Sequence, residues 1–143
     1  MNRIAVIYWS GTGNTQMMAE AVAQGAKDAG GEVTLLSVSD TDAAAASSYD
    51  ALALGCPAMG GEVLEESEFE PFFSELERKL SGKKVALFGS YDWGDGDWMR
   101  EWASRMEAAG ATVAGGEGVI ANNTPDEEAL ENCRKLGETL AAV

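Results

Sequence analysis

The 143-residue chain contains no histidine, so it lacks the commonest general base and the commonest metal ligand at neutral pH. Its two cysteines, Cys56 and Cys133, show no CxxC spacing, which leaves neither a zinc site nor a redox dithiol to assemble. They read as reduced, packed thiols in a cytoplasm. Basic residues are scarce: 10 Lys and Arg stand against 24 Asp and Glu, a formal net charge of -14. Such a chain repels nucleic acid and anionic membranes. No apolar stretch approaches the ~18 residues of a membrane span, and no basic start leads into a short apolar core. A soluble, unexported, cytoplasmic protein is expected. With 3 prolines and 45% hydrophobic residues, disorder is not expected either, and the length suits one domain over residues 1–143.

What is present alternates regularly. Strand-like runs at residues 4–9, 33–38, 51–55 and 85–90, and a broken one over 112–121, are separated by helical patterns at 17–28, 69–80, 98–109 and 126–142, with a weaker helix at 41–48. Thr124 and Pro125, followed by Asp126, Glu127 and Glu128, read as the capped start of the last helix. The alternation predicts an α/β fold: a doubly wound, five-stranded parallel sheet of order 2-1-3-4-5 with helices on both faces. Ligands of such sheets sit at the carboxyl ends of strands one and three.

The first of those ends carries SGTGNT at residues 10–15. Four short polar side chains (Ser10, Thr12, Asn14, Thr15) and two glycines (Gly11, Gly13) at a helix start form a concave set of donors, where the helix dipole adds partial positive charge. A nucleoside-triphosphate loop would need a lysine, and no Lys or Arg occurs from residue 4 to 26. A dinucleotide fingerprint would need a third glycine where Gln16 stands. One terminal phosphate held by neutral donors remains. The competing reading is a well-capped helix start, for which one such side chain would suffice.

Three stretches together, YWSGTGNT at 8–15, LGCPAMGGEVLEESEFEPF at 54–72 and ALFGSYDWGDGDWM at 86–99, resemble the flavodoxins, specifically the short-chain, FMN-binding bacterial electron-transfer flavoproteins. The likeness covers essentially the whole chain and implies a flavodoxin-like fold. It implies a low-potential one-electron carrier that holds FMN noncovalently, stabilises the flavin semiquinone and needs no catalytic residue and no metal. It implies cofactor binding by Ser10, Gly11, Thr12, Gly13, Asn14 and Thr15 at the phosphate. Pro57, Ala58, Met59, Gly60, Gly61 and Glu62, with Ser90, Tyr91, Asp92, Trp93 and Gly94, are assigned to the ring end. By the same resemblance Met59 packs on the inner ring face, Trp93 covers the outer one, the Gly60 carbonyl turns toward N5 and Glu62 accepts from N3. Implied partners are ferredoxin-type oxidoreductases and NAD(P)H-linked reductases, met by a monomer. Gly61 and Asp92 depart from residues common in the family.

Read by themselves, the same residues are consistent with that picture. Paired glycines at 60–61 permit the positive backbone angles of a tight turn. Tyr91 and Trp93 in a polar, glycine-rich loop have little to pack on unless a ligand supplies the surface. Trp98 and Trp102, four apart on a helix, read instead as core. Glu62, Glu65, Glu66, Glu68, Glu70, Asp92, Asp95 and Asp97 are expected to form an acidic rim that disfavours a further electron and steers basic partners. An FMN-dependent NAD(P)H or quinone reductase is the alternative, though a ring stacked on its open face would obstruct hydride uptake. A receiver-type signalling domain would need an Asp at the end of strand three, where Gly55, Cys56 and Pro57 stand.

Overall fold

The computed structural model describes residues 3–11, 13–59, 63–92 and 94–142. Strands β1 (Arg3–Tyr8), β2 (Glu32–Ser37), β3 (Ala51–Gly55) and β4 (Lys84–Tyr91) pair in parallel in the order β2-β1-β3-β4. The central strands are runs of β-branched and aliphatic residues because both their faces are covered: Ile4 to Ile7 and all five residues of β3 are buried. β2, at the sheet edge, is only half-buried. This is the predicted flavodoxin-like order.

The fifth strand position is filled by two short pieces, β5 (Thr112–Val113) on residues 84–85 and β6 (Val119–Asn122) on residues 88–91 of β4. Between them Gly115 and Gly116 turn the chain at φ 77° and 82°, angles that interrupt a ladder and that glycine adopts without strain. The broken run in the sequence is therefore a strand cut in two.

Alternation along the strands sends side chains to two separate cores. Ala5, Ile7, Leu52, Leu54 and Leu87 face α2 (Ala43–Ser47), α3 (Phe69–Leu76) and α4 (Asp97–Ala108), where Phe69 and Phe73 meet Trp102 edge-on at 5.4 and 5.9 Å. Trp98 and Trp102 are 2% and 1% exposed, as core residues should be. Ile4, Val6, Ala53 and Phe88 face α1 (Asn14–Asp28) and α5 (Glu127–Ala141). These two helices approach closely because glycine stands at the crossing: a Cβ on Gly25 would lie 1.9 Å from the Arg134 carbonyl oxygen, and one on Gly137 2.0 Å from that of Val22. No described helix is long and apolar enough to cross a membrane.

Two helix ends differ from expectation. Asp126, not Thr124, caps α5: its carboxylate accepts from the Ala129 N–H at 2.8 Å, so the cap lies two residues later and Pro125 precedes the helix. The predicted helix over 69–80 tightens after Leu76 into a 3₁₀ turn at Glu77–Lys79, a frequent way for a helix to end.

Candidate functional site

Loops after β1, β3 and β4 meet in an open cleft of about 220 Å³. The first loop is built from local bonds. Trp9 extends the β1 ladder, its N–H donating to the Gly55 carbonyl at 3.0 Å. Ser10 Oγ then accepts from the N–H of Gly13 at 3.1 Å and of Gln16 at 3.3 Å, leaving its own proton to donate elsewhere. Gly13 sits at the start of α1 with φ 95° and has no side chain to cap the helix, so Ser10 Oγ, through Gln16, satisfies a first-turn amide in its place. Ser10, Gly11, Asn14 and Thr15 line the cleft, and Thr12 lies outside the described residues.

Thr15 is 1% exposed, and its hydroxyl shares a hydrogen bond with Ser90 Oγ at 3.0 Å. Ser90 N–H also donates to Thr15 Oγ1 at 3.4 Å. Two hydroxyls that share one bond retain one proton for a further acceptor. This pair ties the first loop to the end of β4.

In the second loop Pro57, Ala58 and Met59 line the cleft. The Ala58 N–H donates to the Ser90 carbonyl at 3.0 Å, and Met59 and Val63 exchange backbone bonds at 2.8 and 3.3 Å across an antiparallel bridge. Gly60, Gly61 and Glu62 lie outside the described residues, as does Trp93. In the third loop Tyr91 and Asp92 line the cleft, and the Tyr91 ring leans on Trp98 at 5.6 Å. Gly94 is exposed and is not part of the cleft wall.

Two further residues line the cleft to which the sequence assigns no role, Trp9, inside the first stretch, and Asn123, outside all three. Trp9 Nε1 donates to Glu68 Oε1 at 3.2 Å, joining the first loop to the second. Asn123 adopts φ 57°, a left-handed angle that Asn tolerates better than most residues, and its N–H donates to the Tyr91 carbonyl at 2.7 Å. Asn122 Nδ2 reaches the carbonyls of Tyr91 and Asp92 at 3.3 Å each. The Asn-Asn pair after an apolar run is the sequence signal for this fourth loop.

The acidic rim needs correction. Glu65 is 6% exposed and its carboxylate turns inward onto the start of α3, bonded by Ser67, Glu68 and Phe69. Burial alone would raise its pKa, but the bonds from the Ser67 hydroxyl and from the three backbone amides outweigh that and hold the carboxyl below its usual range. The fold also brings cations to stretches that have none in sequence. Arg105 of α4 forks onto Glu70 at 2.7 and 3.0 Å and onto Glu77 at 3.0 and 3.1 Å, which lowers the Glu70 pKa and raises that of the guanidinium. Arg100 pairs with Asp95 at 3.0 Å and with Asp97. Glu66, Glu68 and Asp92 remain as exposed carboxylates, Glu68 accepting from the Trp9 indole, and among the described residues no basic side chain lines the cleft.

Both cysteines are free and buried. Burial raises both thiols, that of Cys133 to about 12, so neither is a thiolate near neutral pH.

The family model described as Flavodoxin matches residues 6–137. The flavodoxin of Clostridium beijerinckii is 51% identical over 138 residues, covering 96% of this chain and 99% of that protein. The flavodoxin of Megasphaera elsdenii is 49% identical over 138 residues, covering 96% and 98%. The solution structure of the two-electron reduced Megasphaera elsdenii flavodoxin superposes with a TM-score of 0.85, covering 96% of this chain and 98% of that one.

Proposed function

The chain belongs to the flavodoxin family and is an FMN-binding electron carrier rather than an enzyme; from that premise we propose that the three-loop cleft is its FMN site. The observation that carries the reading is the cleft's chemistry. One end has neutral hydroxyl, amide and backbone donors at the start of α1, and the other has the apolar surfaces of Trp9, Met59 and Tyr91. That combination fits a ligand with one phosphate and one flat ring.

Ser10, Gly11, Thr12, Gly13, Asn14 and Thr15 would hold the phosphate. Pro57, Ala58, Met59, Gly60, Gly61 and Glu62 would hold one side of the ring and Tyr91, Asp92 and Trp93 the other, with Ser90 behind the phosphate end and Gly94 outside the cleft wall. When bound, FMN supplies the electron-transfer chemistry, taking up and releasing electrons one at a time. The protein's part is to bind, orient and bias. Thr15 and Ser90 fix the phosphate end against β4 through their shared bond. Asp92 on the cleft wall, with the exposed Glu66 and Glu68, sets a negative field that opposes further electron uptake and makes the couple low in potential.

The same field favours docking on basic faces of redox enzymes, such as ferredoxin-type oxidoreductases and NAD(P)H-linked reductases. The protein acts as a monomer of one domain in the cytoplasm. Titration of the apoprotein with FMN, FAD and riboflavin tests the assignment. FMN should bind far more tightly than riboflavin, and equal affinity for the two would remove the phosphate role from residues 10–15.

A further inference from the structure

Glu65 is a carboxylate in a position that is 6% exposed, which is costly unless its oxygens are filled with donors. They are filled. Oε1 accepts from the N–H groups of Glu68 and Phe69 at 2.8 and 2.9 Å, and Oε2 from the N–H of Ser67 at 2.9 Å and from the Ser67 hydroxyl. The Glu65 N–H donates to Cys56 Sγ at 3.3 Å, and the Glu65 carbonyl accepts from the Glu70 N–H at 2.8 Å. One residue thus connects the end of β3 to the start of α3. Cys56 is itself fixed, its N–H on the Phe88 carbonyl at 3.2 Å and its carbonyl taking the Trp98 indole N–H at 3.2 Å.

The chain between these two anchors is the cleft wall. It leaves Cys56, passes Pro57, Ala58 and Met59, crosses the Met59–Val63 bridge and returns through Leu64 to Glu65. Glu65 does not line the cleft. It closes the base of the loop from behind.

We propose that Glu65 is a positioning residue for the flavin ring: through the amides of residues 67–69 and the Cys56 thiol it sets where the Met59–Val63 bridge, and with it Met59 on the cleft wall, is held. The inference rests on the FMN site proposed above. An ionised carboxylate is needed because it offers acceptors only. An amide in its place would keep one acceptor oxygen and aim an NH₂ at the Ser67 N–H, donor against donor.

Four proteins separate this role from its competitors: the full-length wild type, Glu65→Gln, Glu66→Gln and Cys56→Ala. Each is titrated as apoprotein with FMN and with riboflavin, and amide hydrogen exchange is followed in the absence of ligand. Glu65→Gln should weaken both ligands by the same factor, on the order of tenfold. Exchange should speed at residues 59, 63 and 67–69 and stay slow in α1. Glu66→Gln removes the same charge from an exposed position, so it should leave riboflavin unaffected and hold FMN at least as tightly, the phosphate being an anion. Cys56→Ala should weaken both ligands about threefold, in the same sense as Glu65→Gln.

A Glu65→Gln protein that melts earlier but binds both ligands as the wild type does would reduce Glu65 to a helix cap and overturn the proposal. Equal losses in Glu65→Gln and Glu66→Gln would overturn it in favour of charge alone. Should Glu65→Gln fail to fold, Cys56→Ala decides: unaltered binding of both ligands overturns the proposal, and a parallel loss supports it. A wild type that binds neither ligand would bring down the FMN site first, a failure visible before any variant is made.

Discussion

The loops after β1 and β3 end at the same edge of the same sheet, yet they are held by different means. The loop at residues 10–15 is organised mainly by neighbours: Ser10 bonds amides three and six residues ahead, and Gly13 supplies the turn into α1. The loop at residues 57–64 is organised by bonds that reach other elements, to β4 through Ala58 and to α3 through Glu65. The first is a local solution to phosphate binding. The second depends on the assembled fold, so its shape should respond to changes that never touch the cleft.

Thr15→Val should produce the largest effect. It removes a hydroxyl from the phosphate end and leaves Ser90 Oγ buried without its partner, at a cost of about 1 to 3 kcal/mol in FMN binding. Riboflavin binding should fall much less in the same titration. Parallel loss of both ligands would show that the first loop is as dependent on the assembled fold as the second.

Arg105→Met tests the support behind the second loop from the α4 side. It strands Glu70 and Glu77, which are about a third exposed. Solvent screens part of the loss, so thermal stability should drop by about 1 to 2 kcal/mol, read as a melting-temperature shift of a few degrees. An unchanged melting temperature would make the α3–α4 pairing a surface feature.

Acid should separate the loops further. The folded Glu65 carboxyl titrates below its unfolded value of about 4.3, so its stabilisation is complete above that pH and is lost as the pH falls through the lower folded value. Melting curves of wild type and Glu65→Gln should therefore converge as the solution is acidified below about pH 4. A constant separation would mean that the buried bonds do not depend on the charge.

The smallest effect belongs to the rim. Neutralising Glu66 and Asp92 together should slow association with a basic redox partner by a few-fold at low salt, and the difference should shrink at physiological salt, where the Debye length is about 8 Å. Stopped-flow rates insensitive to both changes would return these acids to a solubility role.

Legibility follows the same division. SGTGNT could be read as a phosphate loop because its determinants, small polar residues at a strand-to-helix junction, lie within six positions of one another. Glu65 could not be separated from Glu66 and Glu68 in EESE, because what distinguishes it is burial behind a turn and amides presented by a helix that packs only in the fold. Arg100 and Arg105 stand in sequence beyond the acidic loops and return to them along α4. Trp9 reads as the last residue of a strand, and only its indole bond to Glu68 shows that it bridges two loops. The sheet order was legible throughout, since hydrophobic runs alternate with helical patterns whatever their distant partners.

The glycine crossing of α1 and α5 has a kinetic consequence. The helix that presents the phosphate donors spans Asn14–Asp28, and the partner that covers its apolar face spans Glu127–Ala141, nearly the whole chain later. Contacts between segments so far apart carry a large loop-closure cost and slow the folding of the domain as a whole. α1 rests on β1 and β2, its neighbours in sequence, yet its packing is complete only when α5 has docked, so the helix that presents the phosphate donors depends on both ends of the chain.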